Sequence, residues 1–346
     1  MGKRKVTMED IASHLGISKN SVSVALNGKM GVSDELRKSI LQTASQLQYG
    51  MYAHQRADSD CRHIVIIISE NFEQDSFFYN ELIWAIEKEA QLQNCIPVKH
   101  IVSHQAMTER EPPIFMVPTD SCRFLVVGIL PDDYMRMLVD IGQPIISVDI
   151  QYPRLNIGYV GASNFEGGVL ATEYLISQNH KKIGFIGPIF AAQSVYHRWC
   201  GFQQTLTMHG LDINEKHCIV GDKNEPELFK TLELFNTLRT IEGCLDQLED
   251  MPTAWFCAGD RIAVAMINYC SKKGIGVPKD VSIMGFDDIT IAQMTFPQLT
   301  TVRVDRKAMG MVAVNYLLGN HSLSMADMNI SLSAQLTIRD SVGRVG

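Results

Sequence analysis

The sequence predicts an α/β protein: a small three-helix head followed by a larger, two-lobed body built on doubly wound parallel sheets. Three observations carry that expectation. Residues 7–47 hold three short apolar stripes at helical spacing, each preceded by a capping residue. From residue 64 onward, runs of β-branched and aromatic residues alternate with helical patterns, which specifies parallel strands with helices on both faces. With 346 residues, 46% of them hydrophobic, the chain can bury more than one core.

The head reads as two short helices joined by a tight turn, then a third. Thr7 caps the first, with Asp10 as its reciprocal acid and Ile11, Ala12 and Leu15 on one apolar face. Gly16 turns the chain, and Ser18 caps a second helix whose stripe is Val22, Ala25 and Leu26. Asn27-Gly28 offers a left-handed stop. Ser33 caps the third, striped by Leu36, Ile40, Ala44 and Leu47. What the second helix leaves outside is Lys19, Asn20, Ser21 and Ser23, near its N-terminal half. In a helix-turn-helix those positions meet base edges, where Lys suits guanine acceptors, Asn suits adenine and hydroxyls reach phosphate or base. A three-helix protein-interaction module with solvated polar faces is the bland alternative.

Residues 50–62 turn polar and lose periodicity, as a linker does. Strands are then expected at 64–68, 124–130, 145–150, 183–187, 253–258 and 281–286, and helices at 77–93, 134–141, 165–178, 195–209 and 262–274. The expected division is a head at 1–49, a hinge or linker at 50–62 and a body at 63–346, with lobe crossovers near 161, 290 and 325. Ligands in open α/β sheets sit beyond the carboxyl ends of strands, where Asp149, Asp260, Asp287 and Asp288 fall. Arg198 lies on a helix with Ser194 four residues earlier, on the same face. Aspartates accept from hydroxyls and arginine donates a fork of N–H groups, a donor set for a polyol; capping and an ion pair account for any one of these residues about as well.

Charge is unevenly placed. Of the net −7, residues 1–60 carry eight Lys or Arg against six Asp or Glu, so this N-terminal stretch is net +2 and the rest −9. Only the head suits a phosphate backbone. The eight cysteines show no Cys-x-x-Cys pair and no metal-ligand spacing with the ten histidines, and read as reduced thiols. Without a secretory signal or a membrane-spanning apolar run, a cytoplasmic protein is expected. The chain lacks a Walker loop, a dinucleotide glycine fingerprint, a Gly-x-Ser-x-Gly elbow and a His-Glu-x-x-His pair, so an enzyme is disfavoured and no cofactor is expected.

From about Val6 to Gly343 the residues resemble the LacI/GalR family of bacterial transcription regulators. The resemblance rests on Met8-Glu9-Asp10-Ile11-Ala12, Ser21-Val22-Ser23 and Leu26-Asn27-Gly28 in the head. In the body it rests on Val277-Pro278-Lys279-Asp280-Val281-Ser282-Ile283-Met284-Gly285-Phe286-Asp287-Asp288 with Leu299-Thr300-Thr301-Val302. It implies a periplasmic-binding-protein-like body and a homodimer whose heads bind a pseudo-palindromic operator on double-stranded DNA. A small-molecule effector, a sugar or sugar derivative, binds between the lobes. The implied regulator is a repressor of a carbohydrate-uptake or carbohydrate-use operon; a solute-binding module without DNA function is the alternative. By position, the resemblance implies base reading by Lys19 and Asn20; Thr7, Ser18, Ser21, Ser23, Val24, Asn27 and Arg56 complete the expected DNA-contacting set. It implies effector contacts from Asp149, Ser194, Arg198 and Asp287, with Phe77 and Phe78 where the family often places aromatic rings; Lys223 and the strand-end Asp260 complete the expected effector set. Core packing explains the two phenylalanines about as well.

Three departures qualify the family pattern. Val24 stands where many members have arginine, removing a guanine fork and leaving a thymine-methyl contact as a substitute. Lys223 sits near a common aromatic and would favour a sugar phosphate, or is a solvated loop charge. Residues 50–60 lack the usual leucine lever and carry Asp58 and Asp60, so a shorter or absent hinge helix and weaker DNA kinking are expected.

Overall fold

The computed structural model describes residues 7–26, 31–46, 63–73, 77–113, 122–221, 242–319 and 328–346. The head forms three helices, α1 (Met8–Leu15), α2 (Lys19–Leu26) and α3 (Asp34–Gln46). Both halves of the expected capping box are made. The Asp10 N–H donates to Thr7 Oγ1 at 3.4 Å, and the Thr7 N–H donates to Asp10 Oδ2 at 2.7 Å. Gly16 ends α1 in the left-handed region at φ 64°, a conformation that costs glycine nothing. Ser18 and Ser33 accept from the N–H groups of Ser21 and Leu36. Ile11, Ala12, Val22, Ala25 and Ile40 close one buried core, and Arg37 ties α3 to α2 through the Ala25 carbonyl at 2.8 Å. The side chains of Leu26, Ala44 and Leu47 lie outside the described residues.

The body follows as β1 (His63–Ser69), α4 (Glu70–Glu73), α5 (Tyr79–Leu92), β2 (Ile96–Val102), α6 (His104–Glu109), β3 (Cys122–Val127), α7 (Asp132–Asp140), β4 (Ile145–Val148) and β5 (Gly158–Ala162). It continues with α8 (Asn164–Ser177), β6 (Ile183–Ile186), α9 (Gln193–Met208), β7 (Cys218–Ile219), β8 (Ala254–Cys257), α10 (Asp260–Lys273), β9 (Ser282–Asp287) and β10 (Thr300–Arg303). Last come α11 (Arg306–Leu318), β11 (Asn329–Leu332) and β12 (Gln335–Thr337). Two six-stranded sheets result, ordered β2-β1-β3-β4-β5-β11 and β7-β6-β8-β9-β10-β12. Each repeats the same doubly wound order; only β12 runs antiparallel, against β10.

Burial explains the sequence pattern strand by strand. Ile64, Ile66 and Ile68 face one core while Val65 and Ile67 face another, so β1 is apolar at every position from Ile64 to Ile68. The larger core runs beneath α5, α8, α9 and α11 and joins residues of both lobes, while α6 and α7 cover the outer face of one sheet and α10 that of the other.

The chain passes between lobes after Ala162, between Arg303 and Arg306, and between Leu332 and Gln335. The crossover expected near 290 therefore moves. Residues 290–293 form a 3₁₀ turn within the second lobe, and β10 must still pair with β9 before the chain leaves. The crossover expected near 325 also moves later, because β11 adds to the first sheet beside β5; residue 325 itself lies outside the described residues.

Candidate nucleic-acid interface and effector cleft

At the start of α2 the hydroxyls and the long side chains divide the work. Ser18 Oγ accepts from the Ser21 N–H at 3.0 Å and lies 2.9 Å from Ser21 Oγ, so both serines are committed to holding the helix start. Thr7 is similarly occupied in its capping box. Lys19 and Asn20 are exposed. Lys19 Nζ rests 3.1 Å from Glu9 Oε2, an open ion pair of little strength that a phosphate or a guanine can replace. Ser23 and Val24 are half-buried, and Val24 leans on the α2–α3 connection, its Cγ1 being 3.5 Å from where a Cβ on Gly31 would stand. Asn27 and Arg56, and with Arg56 the whole linker, lie outside the described residues.

The second site lies at the carboxyl ends of the strands, between the lobes. Asp149 follows β4 in the left-handed region, at φ 76°, and Asp287 and Asp288 close β9 at φ 106° and 52°. Consecutive non-glycine residues in that region persist only where their surroundings over-determine them, a pattern concentrated at ligand sites. Asp149 is buried and accepts from the Tyr79 hydroxyl at 2.8 Å. Arg198 is buried as well. Its Nε donates to Asn164 Oδ1 at 2.8 Å, a terminal N–H donates to the Ala258 carbonyl, and Nη2 pairs with Asp287 Oδ1 at 3.1 Å. The guanidinium stacks 3.7 Å above the Phe286 ring, so all three of its nitrogens and one of its faces are engaged.

Around these groups a crevice is lined by Asp149, Gln151 and Tyr159 from the first lobe and Asn164, Gln193, Ser194 and His197 from the second. Burial and the Asp149 charge push the Tyr159 hydroxyl up, and burial holds the His197 imidazole below its usual value, so both are neutral hydrogen-bonding groups near pH 7. The crevice leaves a volume of about 10 Å³, the room of about one water molecule and far less than the roughly 300–1,000 Å³ of small-molecule pockets. Ligand entry from this arrangement requires the lobes to part.

The expected effector residues fare differently. Asp149 and Ser194 line the crevice, while Arg198 and Asp287 lie behind its lining, joined to it through Asn164. Phe77 stands half exposed with the Arg261 guanidinium 5.5 Å above its ring, a contact from one lobe to the other. Phe78 is buried in the core against Tyr79, so its role is packing. Asp260 is a correction. It is wholly buried at the first position of α10, accepting from Thr301 Oγ1 and, at 2.8 Å, from the Ile289 N–H. Burial and nearby Asp287 hold its carboxyl well above the usual carboxylate range, and it braces the turn after β9 rather than facing the crevice. Lys223 lies outside the described residues. Tyr79, Asn164, Gln151, Gln193 and His197 escaped the sequence reading; the signal for Tyr79 is the polar-tipped third ring of Phe77-Phe78-Tyr79.

Comparison with known proteins identifies the two parts of the chain. Residues 7–50 match the family described as bacterial regulatory proteins, lacI family, and residues 172–342 match the periplasmic binding protein-like domain. The head is a LacI-family DNA-binding domain, and the relatives and solved structures that match along the chain are LacI-family regulators. Among curated LacI-family relatives, the HTH-type transcriptional repressor PurR of Haemophilus influenzae is 27% identical over 345 residues, covering 97% of this chain and 98% of the relative. PurR of Erwinia tasmaniensis is 28% identical over 320 residues, covering 90% and 89%. Among solved structures, the transcriptional regulator CelR–cellobiose complex aligns with a TM-score of 0.68 at 21% identity, covering 97% of this chain and all of that one. A lac repressor dimer bound to operator and the anti-inducer ONPF aligns at 0.62 and 20%, covering 98% of this chain and all of that one.

The protein is accordingly a DNA-binding transcription regulator with an effector-binding body, and LacI-family regulators are not enzymes. A solute-binding module without DNA function leaves the head unexplained. Among the described residues no helix is long and apolar enough to cross a membrane, no group of acidic, His and Cys side chains is placed to hold a metal, and the described cysteines are free thiols.

Proposed function

We propose that the protein is a cytoplasmic repressor, acting as a homodimer on a pseudo-palindromic operator. A sugar or sugar derivative bound between its lobes controls its affinity for that operator. The observation that supports the effector reading best is the crevice itself: a carboxylate, three amides, a serine hydroxyl, a tyrosine and an imidazole, contributed by both lobes, converge on one space. Such a set satisfies many hydroxyls at once, offering acceptors at Asp149 and donors at the amides, and it makes no demand for a charged ligand. Because the lining comes from both lobes, an occupant binds one lobe arrangement better than another, the condition for any ligand to shift an equilibrium. Lys19 and Asn20, exposed at the start of α2, support base reading.

The repressor reading is tested by selecting duplexes from a randomised pool with the full-length protein and measuring release by a panel of sugars and sugar phosphates. A preferred palindromic site whose affinity changes with at least one sugar is the expected result. A site indifferent to the whole panel, with thermal stability raised instead by a non-sugar metabolite, overturns the carbohydrate assignment.

A further inference from the structure

One arginine outside the crevice joins the two lobes at the residues that matter most to it. Arg306 opens α11 where the chain re-enters the first lobe, and α11 is fixed to α5. A Cβ on Gly310 would stand 2.7 Å from Ala85 Cβ and 2.9 Å from the Ile86 nitrogen, so the two helices meet backbone to backbone. The Arg306 side chain is 7% exposed. Its Nε donates to Glu81 Oε2 on α5 at 2.7 Å, and its terminal nitrogens donate to the carbonyls of Asp287 at 2.5 Å and Asp288 at 3.0 Å in the other lobe. Those carbonyls belong to the two left-handed residues that end β9. The Asp287 carboxylate pairs with Arg198, which holds the crevice residue Asn164, and that of Asp288 pairs with Arg339 at 2.6 Å.

We infer that Arg306 and Glu81 form an interlobe clamp that positions Asp287 and carries a change in the crevice to the α5–α11 pair. This rests on the reading of the crevice as the effector site, which Asp287 supports through Arg198 and Asn164. The planar fork explains why the residue is arginine: one guanidinium spans a carboxylate and two carbonyls at once, which a lysine's single ammonium cannot do. Arg306 is a positioning residue; it touches the backbone beneath Asp287 and not the crevice. Phe77, just before α5, makes a further contact across the lobes through Arg261.

The test compares full-length Arg306→Gln, Arg306→Lys and Glu81→Gln with Arg339→Gln by hydrogen exchange and mass spectrometry, with no ligand added. Arg306→Gln and Arg306→Lys are expected to speed exchange about tenfold or more both at residues 286–290 and within α5, at 83–88. Glu81→Gln is expected to speed α5 while leaving 286–290 near wild type, and Arg339→Gln to loosen 286–290 alone. The clamp is overturned if Arg306→Gln loosens 286–290 alone, or if Glu81→Gln leaves α5 unchanged. Should Arg306→Gln lose protection throughout β3 and β8, Glu81→Gln decides. On the duplex selected for the wild type, Glu81→Gln is expected to shift affinity by about fivefold or more with an unchanged salt slope, because no phosphate contact has changed. Altered exchange with unaltered affinity removes the transmission half of the inference. Failure of the wild type to select any duplex counts against the operator reading and leaves the exchange result standing.

Discussion

At the scale of single residues, the structure separates groups that face a partner from groups that hold them in place. Lys19→Ala and Asn20→Ala remove the exposed side chains proposed to read bases and are expected to relax sequence preference by about 1–3 kcal/mol each, measured as the affinity ratio of preferred to scrambled duplex. Arg198 is different, since its removal leaves Asp287 without its buried partner. Arg198→Ala is expected to cost about 3–5 kcal/mol of stability in urea unfolding, which makes it a poor probe of effector binding. Ser194→Ala is the cleaner probe: half-buried and lining the crevice, it is expected to lower affinity for a responsive sugar while stability stays within about 0.5 kcal/mol. The aspartates at strand ends were legible from the rule that ligands sit there. What separates Asp149 and Asp287 from Asp260 was not, because it depends on Thr301 and Ile289 arriving from distant parts of the chain.

At the scale of elements, caps and close helix contacts set the geometry. The Thr7–Asp10 box begins a head whose core is only a few side chains, so Thr7→Ala is expected to lower head stability by about 1 kcal/mol, seen as a lower melting temperature of that transition. Gly168 on α8 sits against the backbone of α9 at Arg198, the residue whose position matters to the crevice. Gly168→Ala has no flexible neighbour to push aside and is expected to cost about 1–3 kcal/mol or more in urea unfolding. Elements with strong periodicity or continuous β-branching, such as α1, α5, β1 and β9, were legible in sequence. Those missed give a weak local signal, each for its own reason. β2 and β11 are half-exposed edge strands, β5 carries two glycines, β7 and β12 are very short, and α11 is buried on more than one side and shows little amphipathic period.

At the scale of the whole molecule, titration and lobe arrangement act together. Burial holds His100, His180 and His197 below the ordinary histidine value, and His180 sits between Thr253 Oγ1 and the Gly343 carbonyl. The unfolded chain gains protons as pH falls below about 6.5 while these sites resist, so their contribution is present above that pH and is lost below it. Urea unfolding across that range is expected to show falling stability toward acid, with a shallower slope in His180→Gln. That two lobes exist was legible from the alternation of strands and helices; where the chain crosses between them was not, since it turns on β10 and β11 finding partners in opposite sheets. The central claim is that one head reads DNA and one crevice adjusts that reading. The most direct measurement is duplex affinity for the selected site over a salt series, with and without a sugar that raises thermal stability. A steep salt dependence and a sugar-dependent affinity with unchanged slope is the predicted result; a sugar that stabilises the body yet leaves duplex affinity the same at every salt contradicts it.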